Sequence, residues 1–156
     1  MLNEVIESLN NYFIKYELGV AQYSFTKDVT FTSTGTLGGD FTSTFIAGEY
    51  ILIEDTRLND GIYKISSNSD TEITIDTTLD ITISTEAEIS ATLTKLYIPK
   101  QLIALIAEIK TYNSNTTDGI SSESQGSRSV SYGNGQTGWK NAFKSRLEKY
   151  KKLGWC

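Results

Sequence analysis

Apolar side chains near the start of the chain recur at intervals of three and four residues. Between Asn3 and about Glu17 the apolar positions are Val5, Ile6, Leu9, Phe13 and Tyr16. This spacing predicts an amphipathic helix that Asn3 caps and Gly19 ends. One helix cannot bury such a stripe alone, so the pattern requires a partner surface elsewhere in the chain.

Residues 20–96 follow a different pattern, in which apolar and polar positions alternate over short stretches. We predict strands in DVTFTST, EYILIED, GIYKISS, TEITID, ITIST and EISATLTKLY. Turn residues separate these stretches, among them Gly38-Gly39 and Asp60-Gly61. Short strands at this spacing indicate an antiparallel β-sandwich or a small barrel.

The helical spacing returns after residue 96. Pro99 opens a second predicted helix over residues 98–112, which is apolar around much of its circumference. A third helix is predicted over residues 137–153, with lysines opposite an apolar face. Residues 113–136 between them are rich in serine, glycine and asparagine, and we predict a long functional or disordered loop.

Together these patterns predict an α+β fold. Three main helices form a small bundle, and the β-sandwich or barrel is inserted between the first and the second helix. Residues 1–18 and 97–156 form the helical domain with a C-terminal docking tail, and residues 20–96 form the inserted β module. The predicted helical core consists of Leu9, Phe13, Leu102, Ile106, Ile109, Trp139, Phe143 and Leu147.

The composition excludes several kinds of catalytic site. The chain has no histidine and one cysteine, so neither a Ser-His-Asp nor a Cys-His unit can be assembled within one chain. A structural zinc site lacks its usual ligands, and no internal disulfide can form. The N-terminal stretch has two acidic residues and no apolar segment of a signal peptide. We therefore expect no membrane partner and assembly inside a cell.

Three local motifs were weighed as sites. Gly133, Gly135, Gly138 and Lys140 resemble a phosphate-binding loop, but the chain has no room for the following parallel strand. The segment DTRLNDG (55–61) lacks the ligand spacing of a calcium loop. Asp76 and Asp80 could flank a sugar bond only if the fold brought them together. We expect no enzyme, no cofactor and no metal.

The charge is unevenly distributed along the chain. Residues 1–136 carry 18 acidic and eight basic side chains, whereas residues 137–156 carry six basic side chains and one acidic one. The basic last helix has three interpretations: it binds DNA phosphates, it exposes its lysines to solvent, or it contacts an acidic protein partner. Trp155 near the C-terminus favours the last of these, with the indole as anchor and the lysines facing an acidic rim.

The stretch GISSESQGSRSVSY (119–132), followed by Trp139, Phe143, Leu147 and Tyr150, resembles the C-terminal half of head–tail connector proteins of long-tailed bacteriophages. This family is also called the adaptor or head completion proteins. The hairpin sequence EYILIEDTRLNDGIYKI is loosely similar to β modules of phage neck and tail proteins. Arg128 stands where the family often has an acidic residue or a neutral spacer.

The resemblance implies a structural virion protein of the neck, assembled in the host cytoplasm. Its copies would form a ring, commonly of twelve, that surrounds the DNA channel without sequence-specific binding. Its other partners would be the portal protein and the next neck protein. The implied portal-docking residues are Lys149, Lys151, Lys152, Leu153, Gly154, Trp155 and Cys156. The implied assembly loop comprises Ser121, Ser122, Glu123, Ser124, Gly126, Arg128, Val130 and Tyr132.

Two alternatives remain open at this point. The β content suggests a stopper or tail-terminator protein of the same neck. A different class is a module that binds host-surface carbohydrate, with Tyr50, Tyr63 and Tyr97 as stacking platforms.

Overall fold

The computed structural model describes residues 1–41, 44–79, 81–116, 122–125, 128–131 and 138–152. The chain divides into two compact units. One unit, the barrel unit, is Tyr12–Ile98, and the other, the helical unit, combines Met1–Asn11 with Pro99–Cys156.

Antiparallel strands build the barrel unit. They are β1 (Tyr16–Glu17), β2 (Val20–Ala21), β3 (Ser24–Phe31), β4 (Thr36–Gly38), β5 (Tyr50–Glu54), β6 (Gly61–Asn68), β7 (Glu72–Ile75) and β8 (Glu86–Leu96). The first two form a separate hairpin, and the other six close into a barrel in the order β3-β4-β7-β6-β5-β8. The long strand β8 closes the barrel because it pairs with both β3 and β5.

The barrel interior follows the period of two that its strands predict. Ile73 and Ile75 of β7 point inward and are buried, whereas Thr74 between them is half-buried. The rings of Phe25, Phe41 and Phe45 pack edge to face, with centroids 6.0 and 6.3 Å apart. Each fully buried apolar side chain of this kind stabilises the fold by about 1.5–3 kcal/mol.

Helices supply most of the second unit. They are α1 (Leu2–Leu9), α2 (Lys100–Thr116), α3 (Gly138–Ala142) and α4 (Lys144–Glu148), and the hairpin of β9 (Ser122–Gln125) and β10 (Arg128–Ser131) belongs to the same unit. Glu108 of α2 binds Arg146 of α4 through two hydrogen bonds of 2.6 and 3.0 Å. Asn11 donates from its side-chain amide to the Tyr150 carbonyl oxygen at 2.9 Å.

The first helix is shorter than predicted. Asn10 adopts a left-handed conformation, and its N–H donates to the carbonyl oxygen of Glu7, which ends α1 at Leu9. Phe13 and Tyr16 fit the helical spacing of apolar residues in the sequence, but they lie beyond the end of α1. Phe13, predicted as helical core, is half-buried in the barrel unit with φ 57°.

The last helix is interrupted. Phe143 has φ −108° and ψ 7°, so α3 and α4 are separate helices of five residues each. Its ring is half-buried and meets Tyr112 edge to face, with centroids 5.6 Å apart. The other predicted core residues, Leu9, Leu102, Ile106, Ile109, Trp139 and Leu147, are buried.

The predicted fold class, a three-helix bundle with an inserted β module, is wrong. The main body is a six-stranded barrel, and three of the four α-helices in the described part of the chain have eight residues or fewer. The physical reason lies in where the apolar side chains are buried. The largest buried cluster comes from residues 29–93, whereas α1, α3 and α4 each bury only one to three side chains.

Candidate protein-interaction surfaces

The hairpin of β1 and β2 carries apolar side chains that point into solvent. Tyr16 pairs with Ala21 and Glu17 with Val20, so that Leu18 and Gly19 form the turn. The side chains of Tyr16, Leu18 and Val20, here called the hairpin surface, are 58%, 100% and 70% exposed. Because paired residues share a face and neighbours along a strand alternate, Val20 lies on the face of Glu17 and Tyr16 lies on the opposite face, with Leu18 at the turn between them.

Leu18 holds an unfavourable backbone conformation at this turn. Its φ is 50° and that of Gly19 is 82°, which is the pattern of a two-residue turn that matches the strand twist. Glycine and asparagine adopt this conformation readily, whereas leucine loses roughly 1–2 kcal/mol in it. A fully exposed leucine at this position stabilises neither the turn nor a core, and such strain is found at functional sites.

Aromatic rings and lysines pack together elsewhere on the barrel unit. The rings of Tyr23 and Tyr97 lie 6.1 Å apart, and the Lys15 ammonium group lies 3.9 Å from the centre of the Tyr97 ring. Lys95 forms an ion pair with Glu49 at 3.0 Å. Burial, followed by the charge on Tyr23, raises the pKa of Tyr97. Because the Lys15 ammonium group lies over the Tyr97 ring, one face of that ring is already covered by a cation.

The tyrosines considered for carbohydrate stacking do not form one platform. Tyr63 is buried, and its hydroxyl donates to the Asn59 carbonyl oxygen at 2.9 Å. Tyr50 is half-buried, and burial raises its pKa. Of the three, only Tyr97 is exposed.

A second candidate surface lies in the helical unit. A recess of about 230 Å³ has three lysines and three apolar residues among the residues that line it. We call it the lysine pocket; its lysines are Lys140, Lys144 and Lys151, and its apolar residues are Leu9, Trp139 and Leu147. The apolar residues are buried, and Ser8 and Asn141 complete the lining. None of the side chains that line the recess is acidic.

The segment considered as a calcium loop is held as a structural turn. Asp60 accepts hydrogen bonds from the backbone N–H and the hydroxyl of Thr56, at 2.8 and 2.7 Å. Asn59 is buried, and its side chain bonds to both backbone groups of Ser84. Across the described ranges, no group of three or more acidic, cysteine or histidine side chains is arranged to hold a metal ion.

Glu86 lies next to this turn and anchors it. The carboxylate accepts hydrogen bonds from the Asn59 amide and from the backbone N–H groups of Arg57 and Leu58. A cavity of about 320 Å³ opens beside it, lined by Arg57, Leu58, Thr85, Glu86, Ala87, Glu88 and Ile89. Because the Glu86 carboxylate already accepts from three donors, its role here is structural.

The carboxylate of Asp76, a candidate glycosidase residue, is likewise held by hydrogen bonds and an ion pair within the barrel unit. It accepts from the Thr78 hydroxyl at 2.5 Å and from the Thr78 N–H at 3.1 Å, and it pairs with Lys64 at 3.3 Å. The hydrogen bond from Thr78 is the main reason that the pKa of Asp76 lies below its ordinary value. Asp80 lies outside the described residues.

The predicted portal-docking residues are partly described. The Lys149 ammonium group lies 4.8 Å from the centre of the Tyr150 ring, and Lys151 lines the lysine pocket. The Lys152 N–H donates to the Leu9 carbonyl oxygen at 3.3 Å. Leu153, Gly154, Trp155 and Cys156 lie outside the described residues.

The predicted assembly loop contains regular structure. Ser122, Glu123 and Ser124 lie on β9, and Arg128 and Val130 lie on β10, with Glu123 paired with Val130. The prediction of one loop over residues 113–136 is therefore wrong, since α2 also extends to Thr116. Ser121, Gly126 and Tyr132 lie outside the described residues, as do Gly133 and Gly135 of the glycine motif; Gly138 begins α3.

Sequence reasoning missed both surfaces. The sequence pattern predicts a helix that ends at Gly19, because Tyr16 continues the helical spacing of the preceding residues. The lysines were recognised as a basic face, but no sequence signal places Leu9 beside them.

No helix within the described ranges has the length and apolar character needed to cross a membrane. Comparison with protein-family models, with curated proteins and with solved structures found no match to this chain.

Proposed function

We propose that this chain is a non-enzymatic subunit of a ring in the neck of a tailed bacteriophage, between the portal and the tail. The observation that carries the proposal is the hairpin surface, because a strained and fully exposed leucine is explained by contact with another protein chain. The resemblance of residues 119–132 to connector proteins supplies the class of assembly.

Two unlike surfaces support a ring in particular. The hairpin surface is apolar and belongs to the acidic barrel unit, whereas the lysine pocket is cationic and belongs to the helical unit. Copies that associate through two different faces make head-to-tail contacts, and these form a ring when the rotation between neighbours closes. The portal-docking role is assigned to Lys149–Cys156, with Trp155 as the anchor.

Co-sedimentation tests the proposal. The full chain is mixed with tailless, portal-bearing capsids of the phage that encodes it, with capsids that lack the portal as control. We expect the chain to pellet only with portal-bearing capsids, and we expect Trp155→Ala to pellet less. If the full chain stays in the supernatant with both kinds of capsid, the connector role is wrong.

A stopper or tail-terminator role in the same neck is the second candidate. The observation that favours it is the extent of the barrel, which leaves the helices a smaller part than a helical connector has. Co-sedimentation with isolated tails separates the two roles. Binding to tails but not to portal-bearing capsids selects the stopper or terminator role.

A further inference from the structure

We propose that the hairpin surface of one copy binds in the lysine pocket of the next copy, with Leu18 as the anchor. This inference rests on the proposed ring, and it names the contact that joins neighbouring subunits. The contact joins two chains through the barrel unit of one and the helical unit of the other.

The hairpin presents Leu18 at its turn, with Val20 and the Glu17 carboxylate together on one face. Leu18 projects fully into solvent from a two-residue turn, and Glu17 precedes it on β1. Glu17 is exposed and forms no ion pair with any described residue. Lys15 is held over the ring of Tyr97, 3.9 Å from its centre. The hairpin therefore offers an aliphatic side chain and a carboxylate.

The lysine pocket offers the complementary chemistry. Its lysines suit a carboxylate, and the apolar part of its lining suits an aliphatic side chain. Lys140 and Lys144 form no ion pair with any residue in the described part of the chain. A DNA phosphate would use only the lysines, whereas a protein segment with an aliphatic side chain beside a carboxylate would also use the apolar part of the lining.

The charge of the two units favours contact between unlike faces. The barrel unit contains 13 acidic and five basic residues, and the helical unit contains six acidic and nine basic ones. Their formal charges of −8 and +3 attract each other. Two hairpins that met each other would bring their Glu17 carboxylates together, and two pockets would bring their lysines together. Head-to-tail contact avoids both repulsions.

Two full-length variants test the contact. Leu18→Asn removes the anchor but keeps a residue that tolerates the left-handed turn. The double variant Lys140→Glu and Lys144→Glu reverses most of the lysine charge of the pocket and keeps the hairpin. Sedimentation velocity measures the mass of each chain alone and of the two mixed. Ile46→Ser and Lys100→Glu are the matched controls, since both positions are exposed.

We expect the wild type and both controls to form assemblies larger than a dimer. Each test variant alone should stay monomeric, because its association is weakened by more than about tenfold. Mixing the two should give a one-to-one pair and nothing larger, since the pair has one intact hairpin facing one intact pocket. A monomeric wild type, test variants that assemble like the wild type, or a mixture that stays monomeric would each overturn the inference.

The capsid experiment separates this inference from the proposed function. If the wild type binds portal-bearing capsids but Leu18→Asn assembles normally, the hairpin contact is wrong and the neck role stands. If the mixed variants form their pair but no chain binds capsids, the contact stands and the neck role is wrong.

Discussion

The carboxylate of Glu86 accepts a hydrogen bond from the side-chain amide of Asn59, and both side chains are almost completely buried. The same carboxylate accepts from two backbone N–H groups, those of Arg57 and Leu58. The side-chain oxygen of Asn59 accepts a hydrogen bond from the Ser84 N–H at 2.8 Å. One pair of side chains thus ties the turn after β5 to the segment before β8.

We predict that Glu86→Gln destabilises the protein although the side chain keeps its size. Both oxygens of the carboxylate accept from donors, so one donor would face the new amide N–H₂ and remain unsatisfied. A buried group left without its partner costs about 1–3 kcal/mol. Urea unfolding measures the loss, and Glu72→Gln at an exposed position is the control. A loss equal to that of the control would contradict the assigned role.

Gly35 and Gly48 form a matched pair for a test of crowding. Both have positive φ, 87° and 90°, so alanine at either position loses roughly 1–2 kcal/mol through backbone conformation. A Cβ added at Gly35 would lie 2.8 Å from the Thr77 Cγ2 atom, whereas one added at Gly48 would have no neighbouring atom within 4 Å. We therefore expect Gly35→Ala to lower the free energy of unfolding more than Gly48→Ala does.

The double variant Gly35→Ala, Thr77→Ser checks the cause of that difference. Serine lacks the crowding methyl group, so the double variant should recover most of the excess loss in urea unfolding. Equal losses for the two single alanine variants would show that crowding contributes nothing.

Asp76 gives the protein a pH dependence of defined sign. The Thr78 hydroxyl, together with Lys64, favours the charged carboxylate in the folded state and lowers its pKa. A group with a lowered folded-state pKa stabilises the fold at neutral pH, and this stabilisation is lost as the pH falls through that pKa. We therefore expect Asp76→Asn to reduce the free energy of unfolding at pH 7, with a smaller difference from the wild type in acid.

Thr78→Ala is the second variant in this pH test. It removes the hydroxyl donor, so the acid loss of stability should be weaker than in the wild type when unfolding is followed at each pH. If the wild type and Asp76→Asn differ equally at neutral and acid pH, the carboxylate has no such role.

We predict that Leu18→Asn raises stability while it abolishes association. Asparagine relieves part of the roughly 1–2 kcal/mol that a leucine loses in a left-handed turn. Thermal unfolding at a dilution at which the wild type is also monomeric measures the gain, with Val20→Asn as control because Val20 lies on a strand without positive φ. A lower melting temperature for Leu18→Asn than for Val20→Asn would contradict this account of the turn.

The sequence indicates most barrel strands but not their closure. Strands β5, β6 and β7 coincide with predicted stretches because apolar side chains alternate along them, as isoleucines in β5 and β7 and as Tyr63 and Ile65 in β6. The three-residue strand β4 contains a single buried apolar side chain, Leu37, between Thr36 and Gly38, so the pattern carries no signal there. Pairing of β8 with β3 joins residues far apart in the chain, and no local pattern specifies it.

Two wrong predictions have identifiable physical causes. ITIST (81–85) alternates like a strand, but the Asn59 amide takes both backbone groups of Ser84 that a neighbouring strand would otherwise bind. Tyr16 falls on the helical spacing of α1, but the left-handed Asn10 ends that helix first. The lysine pocket was predictable only as a basic stripe, since the apolar part of its lining depends on Leu9 from the opposite end of the sequence.

The closure of the barrel limits how this protein can meet other chains. Each of its six strands has a neighbour on both sides, so the barrel has no edge strand along which another chain could add a full-length strand. Many copies can therefore be concentrated at one place without growing into fibres through the barrel backbone. Recognition is left to side chains that face solvent, which a single amino-acid change can strengthen, weaken or redirect without altering the barrel itself.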